Sequence, residues 1–461
     1  MIKVYTTAFM ALIFLKVCAA NFTNFSLYGD EAQYWIWSQD LSMGYFSKPP
    51  LIAWLLSAHT ILFGHSFLSL KIFPILIYFF IFYSFYQFCL NLNISKNNAL
   101  ICAFSFLIIP AASISSFIIS TDLLLLLFWT LGMTQLLKLR ERPSLKKFFL
   151  LGVFLGLAFL SKYAAVYFLL SFVLLMFFDK KLFLALKNNL IGCLFFLAIL
   201  TLILLPNIYW NINNEWITFS HTKDNANLQN MNLSLYEPFK FLVSQALMLG
   251  PVLLLAFFYL FKSFSLDFEN KFLLIFSLPV FFIVLIESFL VRANANWAAP
   301  ALISTFLLMF RLVSERKQNW IFINFITNYV VCVFLFISIL TSSNIKIFDR
   351  INGIENFVFE ILDIAGNKDI AVSDRIIFSN ITYKVRSKPN KIYMPYKNGE
   401  AITNHFQISA PMSKDRNSGF FLIGDPSDVS YLTKENEVEL LKEFDVPFSS
   451  SKLKFYEVVF K

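Results

Sequence analysis

The chain has 461 residues; 58% are hydrophobic, 58 are phenylalanine, and only 15% carry charge. So apolar a chain cannot form one soluble core, because too little polar surface remains to cover it, and lipid must serve as part of its solvent. The net charge of +9 does not point to nucleic acid, since many lysines and arginines fall in short loops between apolar stretches, where they set membrane orientation.

The first stretch, MIKVYTTAFMALIFLKVCAAN, has the look of a signal peptide, with Lys3, an apolar run and small Ala19 and Ala20. With so many apolar runs after it, it reads as an uncleaved first helix. A membrane helix needs roughly 20 apolar residues. Runs at 4–20, 69–91, 99–118, 122–138, 148–162, 164–178, 189–206, 240–261, 271–291, 298–311 and 320–341 therefore predict an all-α polytopic membrane domain over 1–341. That makes about eleven spans, the fifth and sixth being short.

With a cytoplasmic N-terminus, the inward loops hold Lys96, the KLRERPSLKK run from Lys138 to Lys147, Lys180, Lys181, Lys187, Lys262, Lys271, Arg311, Arg316 and Lys317. The outward connections hold only Lys48, Lys71, Lys162, Lys223, Lys240 and Arg292. This is the positive-inside bias. It puts four irregular pieces on the outer face, at 21–68, 120–122, 207–239 and 291–301, where they are expected to converge. In the first, Tyr34, Trp35, Trp37 and Trp54 suit a helix lying in the membrane interface, and 50–64 is short for a full crossing. The loop 207–239 is expected to order when substrate binds.

From about Ser342 charges, Asn, Ser and Gly return. FFLIG and KFYEVVF have strand length, while NEVELLKEF, 436–444, has helical spacing, so 342–461 reads as a small α/β domain on the outer side. The five cysteines, Cys18, Cys89, Cys102, Cys193 and Cys332, lie in apolar spans without ligand spacing and read as packing residues.

The chemistry concentrates in LYGDEAQYWIWSQDLSMGYFSKPPLIAWL. DEAQ places Asp30 at capping-box distance from Gln33, and Asp122 opens the run TDLLLLLFW; an N-cap alone would account for either acid. Lys48 has a plain reading as an interfacial snorkeller, and Lys162 as a charge at a turn. Outer-face cations run against the topology rule, however, so Lys48, Lys162 and Arg292 call for a further reason. Three cations and two or three acids on one outer surface make a site for an anionic lipid headgroup.

No GxxxxGK[ST] loop or GxGxxG turn is present to bind a nucleotide. An activated donor must then arrive through the membrane, and a sugar on a polyprenyl phosphate meets that need. Cleavage at the sugar carbon leaves a phosphate that gains charge, which Lys or Arg stabilises most in the transition state. A carboxylate opposite would orient and deprotonate the acceptor. Asp30 fits that role, Glu31 would position the acceptor or Asp30, and Asp122 suits a supporting part.

GDEAQYWIWSQDLSMGYFSKPPLIAWL resembles the first outer loop of bacterial lipid-phosphate-sugar glycosyltransferases of the GT-C class, in the protein O-mannosyltransferase and aminoarabinose transferase superfamily. Further likeness lies in STDLLLLLFWTLG, LGLAFLSKYAAV, FSHTKDNANL and NANWAAPALI. The resemblance implies a GT-C fold and an inverting transfer from a polyprenyl-phosphate sugar, with Asp30 in the catalytic position and Lys48 at the lipid phosphate. Asp122 and Lys162 match further positions around the family's cavity. The candidate catalytic residues are Asp30, Glu31 and Asp122; those for the donor phosphate are Lys48, Lys162 and Arg292. Tyr34, Tyr45, His221, Asn296 and Trp297 are candidates for lining the substrate cavity.

The implied partners are the lipid-linked donor, a glycolipid (lipid A), glycan or protein acceptor, and membrane lipid. The implied location is the bacterial inner membrane, with the site and the C-terminal domain periplasmic. Ser47 departs from the acid that the aminoarabinose transferases carry there, which counts against a metal held at that position; no cofactor is called for, and a divalent metal stays open as an alternative. A second reading is a transporter or flippase of a lipid-linked sugar. Against it, the spans are nearly free of acids, Glu287 being the main exception, and no repeat is visible. A third is a lipid-binding scaffold in which Asp30 only caps.

Overall fold

Every apolar run named above is helical in the structure, a computed structural model that describes residues 2–226, 233–386 and 389–460. Seven helices are long and apolar enough to cross a membrane, and an eighth span forms if the bent pair Tyr236–Leu249 and Pro251–Ser263 is taken as one. By length and composition the described residues thus hold seven or eight such spans, with shorter apolar helices at Leu51–Phe63, Lys96–Ile108 and Tyr163–Phe178 besides, where about eleven spans were expected. The run 99–118 is interrupted because Pro110 cannot continue a helix from Ile109, leaving the short helices Lys96–Ile108 and Pro110–Ser115. Part of the loop expected at 207–239 is helical, in Leu190–Asn213 and Ile217–Ala226, and its residues 227–232 lie outside the described residues.

The chain divides into two compact units. A membrane unit comprises Met1–Val17, Lys48–Ile52 and Leu68–Phe336. A sheet unit comprises Cys18–Ser47, Ala53–Phe67 and Ile337–Lys461, so it takes in most of the first loop as well as the C-terminal residues.

In the membrane unit, helices Thr121–Glu141 and Leu145–Ser161 form a hairpin, and Leu190–Asn213 packs against the second of them. The sequence GVFLG allows that approach: a Cβ on Gly152 would lie 2.9 Å from the Phe196 carbonyl oxygen, and one on Gly156 would lie 2.8 Å from Ile203. Gly250, at φ +95°, turns the chain by 99° between Tyr236–Leu249 and Pro251–Ser263. The Asn324 side chain accepts the Leu253 N–H there at 3.0 Å. Helix Ala299–Arg316 packs on Thr121–Glu141. At the C-terminal end of Thr121–Glu141, Arg140 forms a two-point ion pair with Asp179, 3.0 Å at each oxygen. Asp122, at the N-terminal end, lies about 27 Å away by helical rise.

The sheet unit is built on five strands, β1 (Ile370–Val372), β2 (Ile392–Tyr393), β3 (Phe420–Ile423), β4 (Asn436–Phe444) and β5 (Leu453–Phe460), in the order β2-β1-β3-β5-β4. β2, β1 and β3 run parallel, and β5 and β4 add antiparallel. Alternation sorts the side chains. Ile370, Val372, Phe421, Ile423 and Phe455 face a core with helices Ile354–Ala365 and Arg375–Val385, whereas Ala371, Phe420, Leu422, Tyr456 and Val458 face the other side.

The helical spacing of NEVELLKEF is overridden: the segment pairs with β5 along its whole length, with a register shift between Leu440 and Lys442. Ladder pairing satisfies the backbone groups of Asn436–Phe444 that face β5, and its charges at Glu437, Glu439, Lys442 and Glu443 suit an edge strand.

Candidate active site

The first-loop acids sit at the start of helix Gly29–Gln39, where they do different work. Tyr28, not Asp30, is the N-cap residue, and Glu31 reaches back to accept the Tyr28 N–H at 2.9 Å, so the alternative reading of Asp30 as a plain cap does not hold. Glu31 is buried, because this bond takes it into the helix start. Asp30, one residue earlier, is left pointing away from that cap and about half exposed. Arg375 Nη1 donates to Asp30 Oδ1 and to Gln33 Oε1, each at 3.0 Å.

Arg375 opens helix Arg375–Val385, whose N-cap Asp374 accepts the N–H groups of Ile376 and Ile377 at 2.8 and 2.9 Å. The starts of the two helices touch: a Cβ on Gly29 would lie 2.5 Å from Ile376, so only glycine permits the approach. Among the described residues neither Asp30 Oδ2 nor Arg375 Nη2 has a side-chain partner. One carboxylate oxygen is therefore held and the other is available.

The second acid lies in the membrane unit. Asp122 is the second residue of Thr121–Glu141 behind N-cap Ser120, so it too is no N-cap. Its Oδ1 accepts Lys162 Nζ at 2.7 Å and its Oδ2 accepts Asn296 Nδ2 at 2.9 Å. Lys162 is the C-cap of Leu145–Ser161, and Asn296 lies in the turn Ala295–Ala298 that feeds Ala299–Arg316.

The next residue, Tyr163, donates its hydroxyl to Asn207 Oδ1 at 2.8 Å, accepts from Asn211 at 3.2 Å and stacks on Phe219 at 4.7 Å. Three of the four irregular pieces expected to converge thus do so within this unit. Two further cations meet the segment just before Asp122, both buried. Lys16 donates to Ser116 at 2.6 Å, and Lys71 lies 5.0 Å from the Phe117 ring centre. Lys16 was readable as an ionisable residue inside an apolar run, a usual mark of function.

Of the remaining candidates, Lys48 is half-buried before buried Pro49 and Pro50 in the membrane unit. Arg292 is exposed four residues before Asn296, and His221 is half-buried on Ile217–Ala226. Trp297 packs against the buried group of Phe241, Val284 and Ala298. Tyr34 and Tyr45 are buried in the sheet unit, with Tyr45 stacked on Trp37 at 4.5 Å and its hydroxyl donated to the Trp37 carbonyl at 2.9 Å. Burial pushes the Tyr45 hydroxyl up to about 12. Trp35 is likewise buried, with its indole N–H on His65 at 3.1 Å, while Trp54 is half-buried and donates its indole N–H to the Ser42 carbonyl at 2.9 Å. Among the described residues no three of His, Cys, Asp or Glu gather closely enough to hold a metal ion. Arg375 was not found from sequence: it lies 345 residues from Asp30, in a segment without a motif.

Residues 47–210 match the family of dolichyl-phosphate-mannose-protein mannosyltransferases. Lipid A galacturonosyltransferase RgtD of Rhizobium johnstonii is 28% identical over 306 residues, 64% of this chain. The chain spans 62% of that relative's length. Among solved structures, ArnT from Cupriavidus metallidurans in the apo state matches with a TM-score of 0.68 over 99% of this chain and 98% of its own, at 12% identity. The same protein bound to undecaprenyl phosphate gives 0.67 over 98% of both chains, also at 12% identity.

At that identity the structural likeness establishes the fold, an ArnT-like multi-pass helical part with a small sheet domain. In sequence, the chain is similar over part of its length to a mannosyltransferase family and to a lipid A galacturonosyltransferase.

Proposed function

We propose that this chain is a membrane glycosyltransferase that moves a sugar from a polyprenyl-phosphate donor to an acceptor on the periplasmic face of the inner membrane. The relatives favour a lipid A-type glycolipid as acceptor: RgtD is named for galacturonosyl transfer to lipid A, and ArnT has been solved with undecaprenyl phosphate. The observation that carries the reading is the half-exposed Asp30 carboxylate, tied at one oxygen to Arg375 and open at the other, in the loop that carries the family likeness.

In the reaction, the acceptor hydroxyl oxygen forms a bond to the anomeric carbon as the bond from that carbon to the phosphate oxygen breaks. The electron pair leaves with the phosphate, and the hydroxyl proton passes to Asp30 and then to solvent. Attack opposite the leaving group inverts the anomeric centre. Lys48, adjoining the start of Leu51–Phe63, is the cation assigned to the leaving phosphate, where charge grows in the transition state. The Asp122–Lys162–Asn296 cluster holds the outer-loop walls in register. The domain division that goes with this reading is a membrane part, 1–341, which binds the lipid donor, and a C-terminal part, 342–461, which reaches the acceptor side through Arg375.

The test is mass spectrometry of envelope lipids from cells with and without the gene, paired with transfer in lipid nanodiscs from an undecaprenyl-phosphate sugar to lipid A. A sugar that disappears with wild-type protein removed, and stays absent with Asp30→Asn, is expected. An unchanged set of glycolipids and glycoproteins, or solute flux without any glycosidic product, would overturn the reading.

A further inference from the structure

We infer that the sheet unit carries a subsite for one neutral or amino-sugar ring of the acceptor, in the cleft at the carboxyl ends of its parallel strands. That the occupant is the acceptor rests on the function proposed above; that a sugar ring binds does not. The cleft has a volume of about 240 Å³. Its walls include Ser373, which follows β1, and Asp428, in the turn that follows β3.

β1 continues through helix Arg375–Val385 to β2 on one side, while β3 lies on its other side, so the loops after β1 and β3 part here. A crevice of that kind is where open α/β sheets bind ligands. The two walls are locked together. Ser373 Oγ donates to Asp428 Oδ2, the Asp425 N–H donates to the same oxygen at 2.9 Å, and a Cβ on Gly424 would lie 2.2 Å from Ser373 Oγ.

The lining decides the ligand class. Asn404 Oδ1 accepts the Phe406 N–H at 2.9 Å and Gln407 Oε1 accepts the Thr403 N–H at 2.7 Å. Because backbone N–H groups claim both amide oxygens, each side chain presents its NH₂ as a donor, and neither NH₂ has a partner among the described residues. The rings of Tyr396 and Tyr431 also line the cleft, tied by the Tyr396 N–H to the Tyr431 hydroxyl at 3.3 Å. Amide donors, carboxylate acceptors and aromatic faces in one small cleft suit the hydroxyls and C–H face of a sugar.

A phosphate is disfavoured, since Glu400 and Asp428 outnumber Lys397, which is itself 3.7 Å from Glu400. The volume, under the roughly 300–1,000 Å³ of ordinary ligand sites, admits about one ring. Position ties the cleft to the chemistry. Ser373 on its wall and Arg375 on Asp30 are two residues apart, within about 7 Å along the chain.

The full chain in nanodiscs is titrated with N-acetylglucosamine and with glucose 6-phosphate by ligand-observed NMR. A double variant, Asn404→Asp with Gln407→Glu, keeps both capping oxygens and removes both NH₂ donors. The expected result is saturable N-acetylglucosamine binding, weakened about tenfold or more in the variant at unchanged Tm, with glucose 6-phosphate binding more weakly than the neutral sugar. In transfer assays the variant should raise KM for lipid A about tenfold and leave KM for the donor alone.

No saturation below about 10 mM, equal binding by the variant, or tighter binding of the sugar phosphate overturns the site. Binding is read without turnover and is repeated on Asp30→Asn, so sugar binding in a chain with no transfer activity would refute the proposed function and keep the cleft. Transfer without binding would refute the cleft alone.

Discussion

Asp30 and Asp122 occupy the same helical position, the second residue, and each faces a cation, but their surroundings divide them. The side chains of Asp122 and Lys162 are 11% and 15% exposed, against 45% and 42% for Asp30 and Arg375. Asp122 has both oxygens engaged, by Lys162 and by Asn296; Asp30 has one engaged, by Arg375. A general base must reach the proton it takes, and an oxygen already committed to a buried ammonium does not. On the proposed function, the difference assigns the reacting role to Asp30 and the clamping of the membrane unit's walls to Asp122.

The strongest way to break this comparison is to neutralise each acid in turn. Asp30→Asn should lower kcat by about 10²–10⁴-fold while leaving Tm within a degree or so, because Glu31 makes the cap and a surface ion pair contributes about 1 kcal/mol at most. Asp122→Ala should act on stability instead: it strands Lys162 in a buried place, at a cost of about 3–5 kcal/mol, seen as lost folded protein in detergent. Adding Lys162→Met should recover much of that loss. A stable Asp122→Ala protein with no activity would reverse the two roles.

How far each site was legible follows from the same contrast. The apolar runs marked the helices because a lipid-facing helix must be apolar along its length. The strands FFLIG and KFYEVVF were readable because both faces of β3, and one face of β5, are buried. The positive-inside bias isolated Lys48, Lys162 and Arg292, and one of them proved to be the partner of Asp122. Arg375 was invisible, since a contact across 345 residues leaves no local pattern. The 99° bend at Gly250 and the strand at Asn436–Phe444 were missed for a related reason. Each has a distant partner, Asn324 and Asn328 of Gln318–Leu340 against Gly250 in one case and β5 in the other.

A smaller effect sharpens the picture of the sheet unit. His405 is packed against Trp37 and Tyr45 at 5.4 and 5.5 Å, its Nδ1 has no hydrogen-bond partner among the described residues, and burial lowers its pKa from 6.5 to about 4. The unfolded chain therefore binds a proton at a pH where the folded chain does not. Stability is full above about pH 6.5 and falls as pH drops toward 4, by up to about 3 kcal/mol. Thermal melts of the wild type should show this slope and His405→Phe should flatten it. An unchanged slope would place the acid sensitivity elsewhere.

The finest test concerns what Arg375 does for Asp30. It holds one oxygen through a single nitrogen and shares that nitrogen with Gln33, an arrangement that orients the carboxylate without enclosing it. Arg375→Ala should cost about tenfold in kcat with little change in the KM for donor, the mark of lost alignment in the transition state. Arg375→Lys should retain part of the rate, since an ammonium keeps the charge and can donate to both acceptors but lacks the guanidinium's fixed planar donor geometry.

Added guanidinium should restore part of the Arg375→Ala rate without moving its Tm. If the rate falls only in proportion to lost folded protein and guanidinium does nothing, Arg375 merely joins two helix starts, and the assignment of the base role to Asp30 rests on its open oxygen alone.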